Sequence, residues 1–137
     1  MYVDITQLDP QQIYITLTQT VIPRPIAWVL SENANGSLNL APYSFFNAVS
    51  SEPLLVMIST GLKPDGRPKD TRENIKQRRD FLVHIASVAQ LEDLNASSAT
   101  LPAGETEVDP LGLATVPLGG SRLPRLKDAR VAFVCTL

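Results

Sequence analysis

The sequence predicts a mainly β domain, an antiparallel barrel or sheet with a few short peripheral helices, and three observations carry that prediction. Strand-like apolar runs outnumber helix-like segments along the chain. The turn signals between several of those runs are only a few residues long, which joins antiparallel neighbours and is too short for a parallel crossover. At 137 residues the chain suits one domain with its own core, and the whole span 1–137 is read as that single domain.

Taken in order, Asp9-Pro10-Gln11-Gln12 sets an N-cap acid, a proline at the first helical position and a glutamine three residues after the cap. A short helix is expected from there to just before Thr20. Two prolines hold the chain extended around Arg24, and a buried strand is expected over Ile26 to Ser31. Asn35-Gly36 is a hairpin signal, because both residue types tolerate positive φ, and Ser37 to Ala41 is the returning strand. Two more strands are expected at Ser44 to Val49 and Leu54 to Ser59, broken at Ser51-Glu52-Pro53. The second is apolar at nearly every position, so a central place in the sheet is expected for it.

An irregular, exposed loop follows through Asp65-Gly66 and leads to a short helix beginning near Thr71, with Asp70 and Glu73 spaced as a capping box. Phe81 to Ser87 reads as a strand. Ser87 and Gln90 repeat the capping-box spacing ahead of Val88, Leu91 and Leu94 at helical intervals. The stretch Asn95 to Pro124 predicts short elements, long loops and a turn of helix near Glu105 to Leu113. Ala129 to Leu137 is a β-type run that reaches the last residue, and an apolar strand placed there needs either a covering partner subunit or further chain.

Composition narrows the function classes. With 44% apolar and 19% charged residues the chain resembles an ordinary soluble domain, and no run approaches the roughly 18 apolar residues of a membrane span. A net charge of −2 provides no general basic field for nucleic acid or anionic lipid. The amino terminus lacks the pattern of a secretory signal, and the single Cys135 fits a reducing compartment, so a cytoplasmic location is expected. One histidine and one cysteine cannot supply a metal cluster, and the chain contains no nucleophile elbow, Walker loop or dinucleotide fingerprint. No residue is singled out as catalytic. His84 sits inside an apolar strand, where a hydrogen-bonded core or interface histidine is the commoner reading than a general base.

Two weak signals remain. Ser59-Thr60 at a strand end, Arg24, and the basic stretch before the helix start at Lys69 to Thr71 could form an anion site suited to phosphate, or an ordinary solvated loop and cap. The stretch Asn39 to Asn47, "NLAPYSFFN", places Pro42, Tyr43, Ser44, Phe45 and Phe46 beside one another. It could wall a flat ring, or Phe45 and Phe46 could point to opposite faces with one filling the core.

Four segments in order, "PRPIAWV" at Pro23 to Val29, "NLAPYSFFN", "KDTRENI" at Lys69 to Ile75 and "FLVHIAS" at Phe81 to Ser87, resemble the flavin reductase-like family of FMN-binding split-barrel proteins. The resemblance covers about Val21 to Ser98 and continues more weakly beyond. It implies an antiparallel split β-barrel that binds FMN, here incomplete at the C-terminus, assembled as a homodimer. Carried onto this chain, it implies that Arg24, Ala27 and Trp28 border the flavin, and that Ala41, Tyr43, Ser44, Phe45 and Asn47 line its ring and ribityl chain. Ser59, Thr60, Lys69 and Thr71 would meet the phosphate, and Asn74 would bind phosphate or cap locally, two readings of equal weight. His84 departs from the asparagine usual at that position. The implied activity is transfer of electrons from NADH or NADPH through FMN to a small-molecule acceptor or a partner redox protein. Such chemistry needs stacking and orientation rather than an acid–base pair, in keeping with the shortage of catalytic side chains. The alternative is a flavin-binding electron carrier without nicotinamide activity of its own.

Overall fold

A computed structural model describes residues 2–137. After a short 3-10 turn at Ile5–Gln7 come helix α1 (Pro10–Thr20), strands β1 (Ala27–Glu32), β2 (Leu38–Tyr43), β3 (Phe46–Ser51) and β4 (Leu54–Ile58), and helix α2 (Asp70–Arg78). Strand β5 (Asp80–Ile85), helix α3 (Leu91–Ala96), and strands β6 (Thr115–Val116), β7 (Arg125–Leu126) and β8 (Val131–Thr136) complete the chain. All paired strands run antiparallel: a four-stranded sheet in the order β2-β1-β5-β8, and two hairpins, β3-β4 and β6-β7. The mainly β, antiparallel expectation therefore holds.

The local signals act as their chemistry requires. Asp9 accepts the Gln12 amide at 2.8 Å while the Gln12 side chain accepts the Asp9 amide at 2.9 Å, a complete capping box ahead of Pro10. Asn35-Gly36 turns the β1-β2 hairpin with Gly36 at φ +86°, a conformation only glycine adopts freely. Between Glu105 and Leu113 the chain makes a single turn in which the Leu111 amide reaches the Glu107 carbonyl, without extending into a helix. At α2 the expected box is replaced: Lys69 is the N-cap with no side-chain bond, and Asp70, one residue inside, pairs with Lys63 at 2.8 Å.

The core lies on both faces of β1 and β5. Trp28, Leu30 and Leu82 face α3, Val108, Leu123 and Leu126, whereas Ala27, Val29, Phe81 and Val83 face Ile75 of α2 and Tyr43. The expectation of a central strand at Leu54 to Ser59 is overturned. Among the described residues β4 pairs only with β3, and Leu54 and Met57 are 71% and 58% exposed. A continuous apolar run shows that both faces want cover, but strand pairing decides which runs obtain it within one chain, and β1 and β5 take the covered places. Together with Val131, Phe133 and Val134 of β8, the exposed apolar residues of β3 and β4 leave a large unpartnered surface.

Candidate functional site

His84 is fully buried, and its two ring nitrogens hold backbone on either side. Nε2 accepts the Leu126 amide at 3.1 Å, so the proton resides on Nδ1, which donates to the Trp28 carbonyl at 3.2 Å. Burial pushes its pKa below the ordinary value, and the Arg125 charge acts in the same direction, while the bond to Trp28 opposes them. His84 is thus a core histidine that fastens β7 to the sheet.

The chemistry-bearing residues gather where the end of β2 meets the start of α2. The Ser59 amide donates to the Phe45 carbonyl at 2.9 Å, drawing the end of β4 alongside the Tyr43–Phe45 stretch. A groove of about 460 Å³ results, lined by Tyr14, Tyr43, Ser44, Phe45, Ser59, Thr60 and Lys69. Tyr14 of α1 tilts against Phe45 with ring centroids 6.0 Å apart. Tyr43 and Lys69 also line a smaller cavity of about 100 Å³, together with Ala41, Asp70, Thr71, Ser98 and Glu107. On the other side of Ser44 and Phe45, a third cavity of about 380 Å³ takes in Arg24, Asn47 and Met57.

The expected site residues divide accordingly. Arg24, Ala41, Tyr43, Ser44, Phe45, Asn47, Ser59, Thr60, Lys69 and Thr71 all border these three adjoining cavities. Ala27 and Trp28 lie wholly within the core, where the Trp28 indole donates to Ser97 Oγ at 2.8 Å. Asn74 is buried away from the cavities and donates to Ser31 Oγ at 3.1 Å and Asn33 Oδ1 at 2.8 Å. Arg24 is structural in part: Nη1 donates to the Thr18 carbonyl at 2.8 Å and to that of Val21, fixing the end of α1, and the guanidinium carbon lies 5.8 Å from the Phe45 ring centre. Its Nε is buried without a partner among the described residues.

Electrostatics set the small cavity apart. Among the described residues the Tyr43 hydroxyl is buried without a hydrogen-bond partner, and burial pushes its pKa up to about 12. Thr71 approaches closely enough to oppose that shift without giving the hydroxyl a bond of normal geometry, and the charges of Asp70 and Glu107 reinforce it. Thr71 Oγ1 accepts from Asn39 at 2.8 Å, which leaves its own proton to donate. Lys63 is engaged by Asp70, whereas Lys69 makes no ion pair among the described residues. The first turn of α2 adds amides that no carbonyl of the helix can reach.

Sequence reasoning missed Asn39, Lys63 and Glu107. Glu107 is 7% exposed, accepts the Leu40 amide at 2.8 Å, and is raised in pKa by burial and by Asp70. Nothing in its glycine- and proline-rich surroundings marked it; its role comes from the long loop folding back over β2.

A family model described as the flavin reductase like domain matches residues 19–137. An uncharacterized protein of Halalkalibacterium halodurans is 41% identical over 128 residues, covering 93% of this chain and 61% of that protein. The crystal structure of nitrilotriacetate monooxygenase component B from Bacillus cereus superposes with a TM-score of 0.94 at 33% identity, covering 100% of this chain and 67% of the other. That of the Pseudomonas fluorescens 2-nitrobenzoate 2-nitroreductase gives 0.87 at 30% identity, covering 99% and 64%. The chain therefore spans under two thirds of the length of that Halalkalibacterium halodurans relative.

Proposed function

Because the chain belongs to the flavin reductase-like family, we propose that it is an FMN-dependent oxidoreductase that takes electrons from NADH or NADPH and passes them to a small acceptor or a partner redox protein. One observation supports this reading above the others: a groove of ligand size with an aromatic and proline wall shares Pro42, Tyr43 and Lys69 with a small neighbouring cavity rich in hydrogen-bond donors. A flavin mononucleotide has those two parts, a flat ring and a terminal phosphate.

The residues fit the group on their own chemistry. Pro42 to Phe45 offer flat apolar surface for a ring, and Ser59 and Thr60 offer hydroxyls at the groove's rim. Lys69, the Thr71 hydroxyl, the first amides of α2 and the unpartnered Tyr43 hydroxyl would hold the phosphate. A bound flavin would supply the centre that accepts and releases a pair of electrons. The protein's own task is then to orient and to exclude water. Phe45, held between Tyr14 and Arg24, gives the groove a fixed wall, and the Ser59–Phe45 backbone bond keeps the hydroxyl-bearing rim in place.

The same reading carries a homodimer, supported by the exposed apolar residues Val49, Leu54, Leu55 and Met57 of β3 and β4. It also carries a cytoplasmic setting, supported by the single unpaired cysteine. Among the described residues no helix is long and apolar enough to cross a membrane.

The test is the visible spectrum of the purified protein with one equivalent of FMN, followed by NADH or NADPH under anaerobic conditions. Retention of the yellow chromophore through gel filtration and its bleaching by either nicotinamide is expected. A protein that retains flavin but bleaches only with dithionite is an electron carrier instead. One that retains none refutes the proposal.

A further inference from the structure

The cavity of about 380 Å³ beside Arg24 meets the larger groove only at Ser44 and Phe45, and it has no part in holding the flavin proposed above. Leu17 and Val21 at the end of α1, Pro23, Pro25 and Phe46 give it apolar walls. No aspartate or glutamate lines it, and its single charge is the Arg24 guanidinium. Ser44 and Asn47 add neutral polar groups.

Arg24 is only half used by the protein. Nη1 donates to the Thr18 carbonyl at 2.8 Å and to that of Val21, which accounts for one side of the guanidinium. Among the described residues Nε and Nη2 have no acceptor, Nε is buried, and no carboxylate pairs with the charge. Nε and Nη2 donate from one edge of the plane, the edge across which a carboxylate forks. A partly buried cation lying 5.8 Å from the Phe45 ring centre, with a donor edge left over, is costly until an anion meets it. The walls decide which anion. Phosphate or sulfate would give up hydration against Leu17 and Pro23 without return, whereas a carboxylate borne on a flat ring offers the ring to Phe46 and the prolines and its charge to Arg24. The volume lies near the lower end of the roughly 300 to 1,000 Å³ that ligand pockets span, which favours a one-ring occupant.

We infer that this cavity is a second ligand site, one that binds a small aromatic carboxylate with Arg24 as its anchor. The site is separate from the flavin groove, and Phe45 is the partition between them: it walls the groove on one side and backs the Arg24 cation on the other.

The test is calorimetric titration of the purified full chain at pH 8 with benzoate, benzamide and acetate, repeated with saturating FMN. Benzoate should bind about tenfold or more tightly than benzamide, which keeps the ring and loses the charge, and acetate, which keeps the charge and loses the ring, should not saturate over the same range. Arg24→Gln should bring benzoate down to the affinity of benzamide. Arg24→Lys, which keeps a cation able to reach the α1 carbonyls but not the fork, should narrow the ratio severalfold. A merely structural role for Arg24 would move both ring ligands together. Leu17 is 44% exposed, so Leu17→Trp should fold normally and, by filling the cavity, abolish binding of both. FMN should leave the benzoate titration in place. No benzoate binding, benzamide or acetate as tight as benzoate, a wild-type ratio in both Arg24 variants, full benzoate affinity in Leu17→Trp, or displacement of benzoate by FMN would each overturn the inference. A chain that binds FMN but no benzoate loses only this site, and one that binds benzoate but no FMN loses only the flavin reading.

Discussion

Replacing His84 with leucine tests a buried polar side chain that holds backbone on both sides. The ring is completely buried, accepts the Leu126 amide at 3.1 Å and donates to the Trp28 carbonyl at 3.2 Å. Leucine has comparable bulk and neither function. A buried amide left unpaired costs about 1 to 3 kcal/mol, the lost carbonyl bond about 1 kcal/mol more, and the added apolar burial offsets part of that, so about 2 to 3 kcal/mol of stability should disappear. For a domain of this size that is a fall in melting temperature of roughly 6 to 12 °C. Urea unfolding followed by circular dichroism at about pH 8 measures it, and a lower midpoint at constant slope is expected. The wild type should also lose stability as pH falls. The native pKa of His84 lies below its ordinary value, so as pH drops past about 6.5 the unfolded chain takes up the proton first and ν_U exceeds ν_N. The loss begins there and ceases below the lowered native value, and the leucine variant should lack it. An unchanged midpoint in the variant, or the same decline from about pH 7.5 to about 5.5 in both proteins, would refute the assignment.

Three further outcomes are expected. Lys69→Ala should weaken FMN by about 1.5 to 3 kcal/mol, a ten- to hundredfold change read by flavin fluorescence quenching, because a charge-assisted contact to the phosphate is lost; unaltered affinity removes Lys69 from the site. Asn74→Ala should lower the melting temperature by breaking the bonds to Ser31 and Asn33, yet leave FMN affinity within about twofold, since Asn74 borders no part of the cavities; a large loss of affinity with little change in melting would restore the phosphate role. Asp9→Ala should destabilise the first turn of α1 by about 1 kcal/mol and speed hydrogen exchange there. It should scarcely move the global melt, because no residue of α1 is buried.

The sequence by itself determined the elements whose causes are local. The capping box at Asp9 and Gln12, the Asn35-Gly36 turn and the antiparallel class follow from side-chain–backbone bonding, tolerance of positive φ and loop length, all of which act over a few residues. Most of the residues that line the candidate cavities were legible for a related reason: Tyr43 to Phe45, Ser59-Thr60 and Lys69 to Thr71 are contiguous groups whose chemistry shows before their position is known. Tertiary structure decided whatever depends on partners distant in the chain. It set β4 at the edge, because pairing rather than hydropathy assigns cover. It drew Trp28 and Asn74 into the interior through Ser97, Ser31 and Asn33. It also brought Glu107 across 67 positions to Leu40, so that a loop carboxylate lines the small cavity. A buried charge takes its meaning from what surrounds it, and only the folded chain supplies those surroundings.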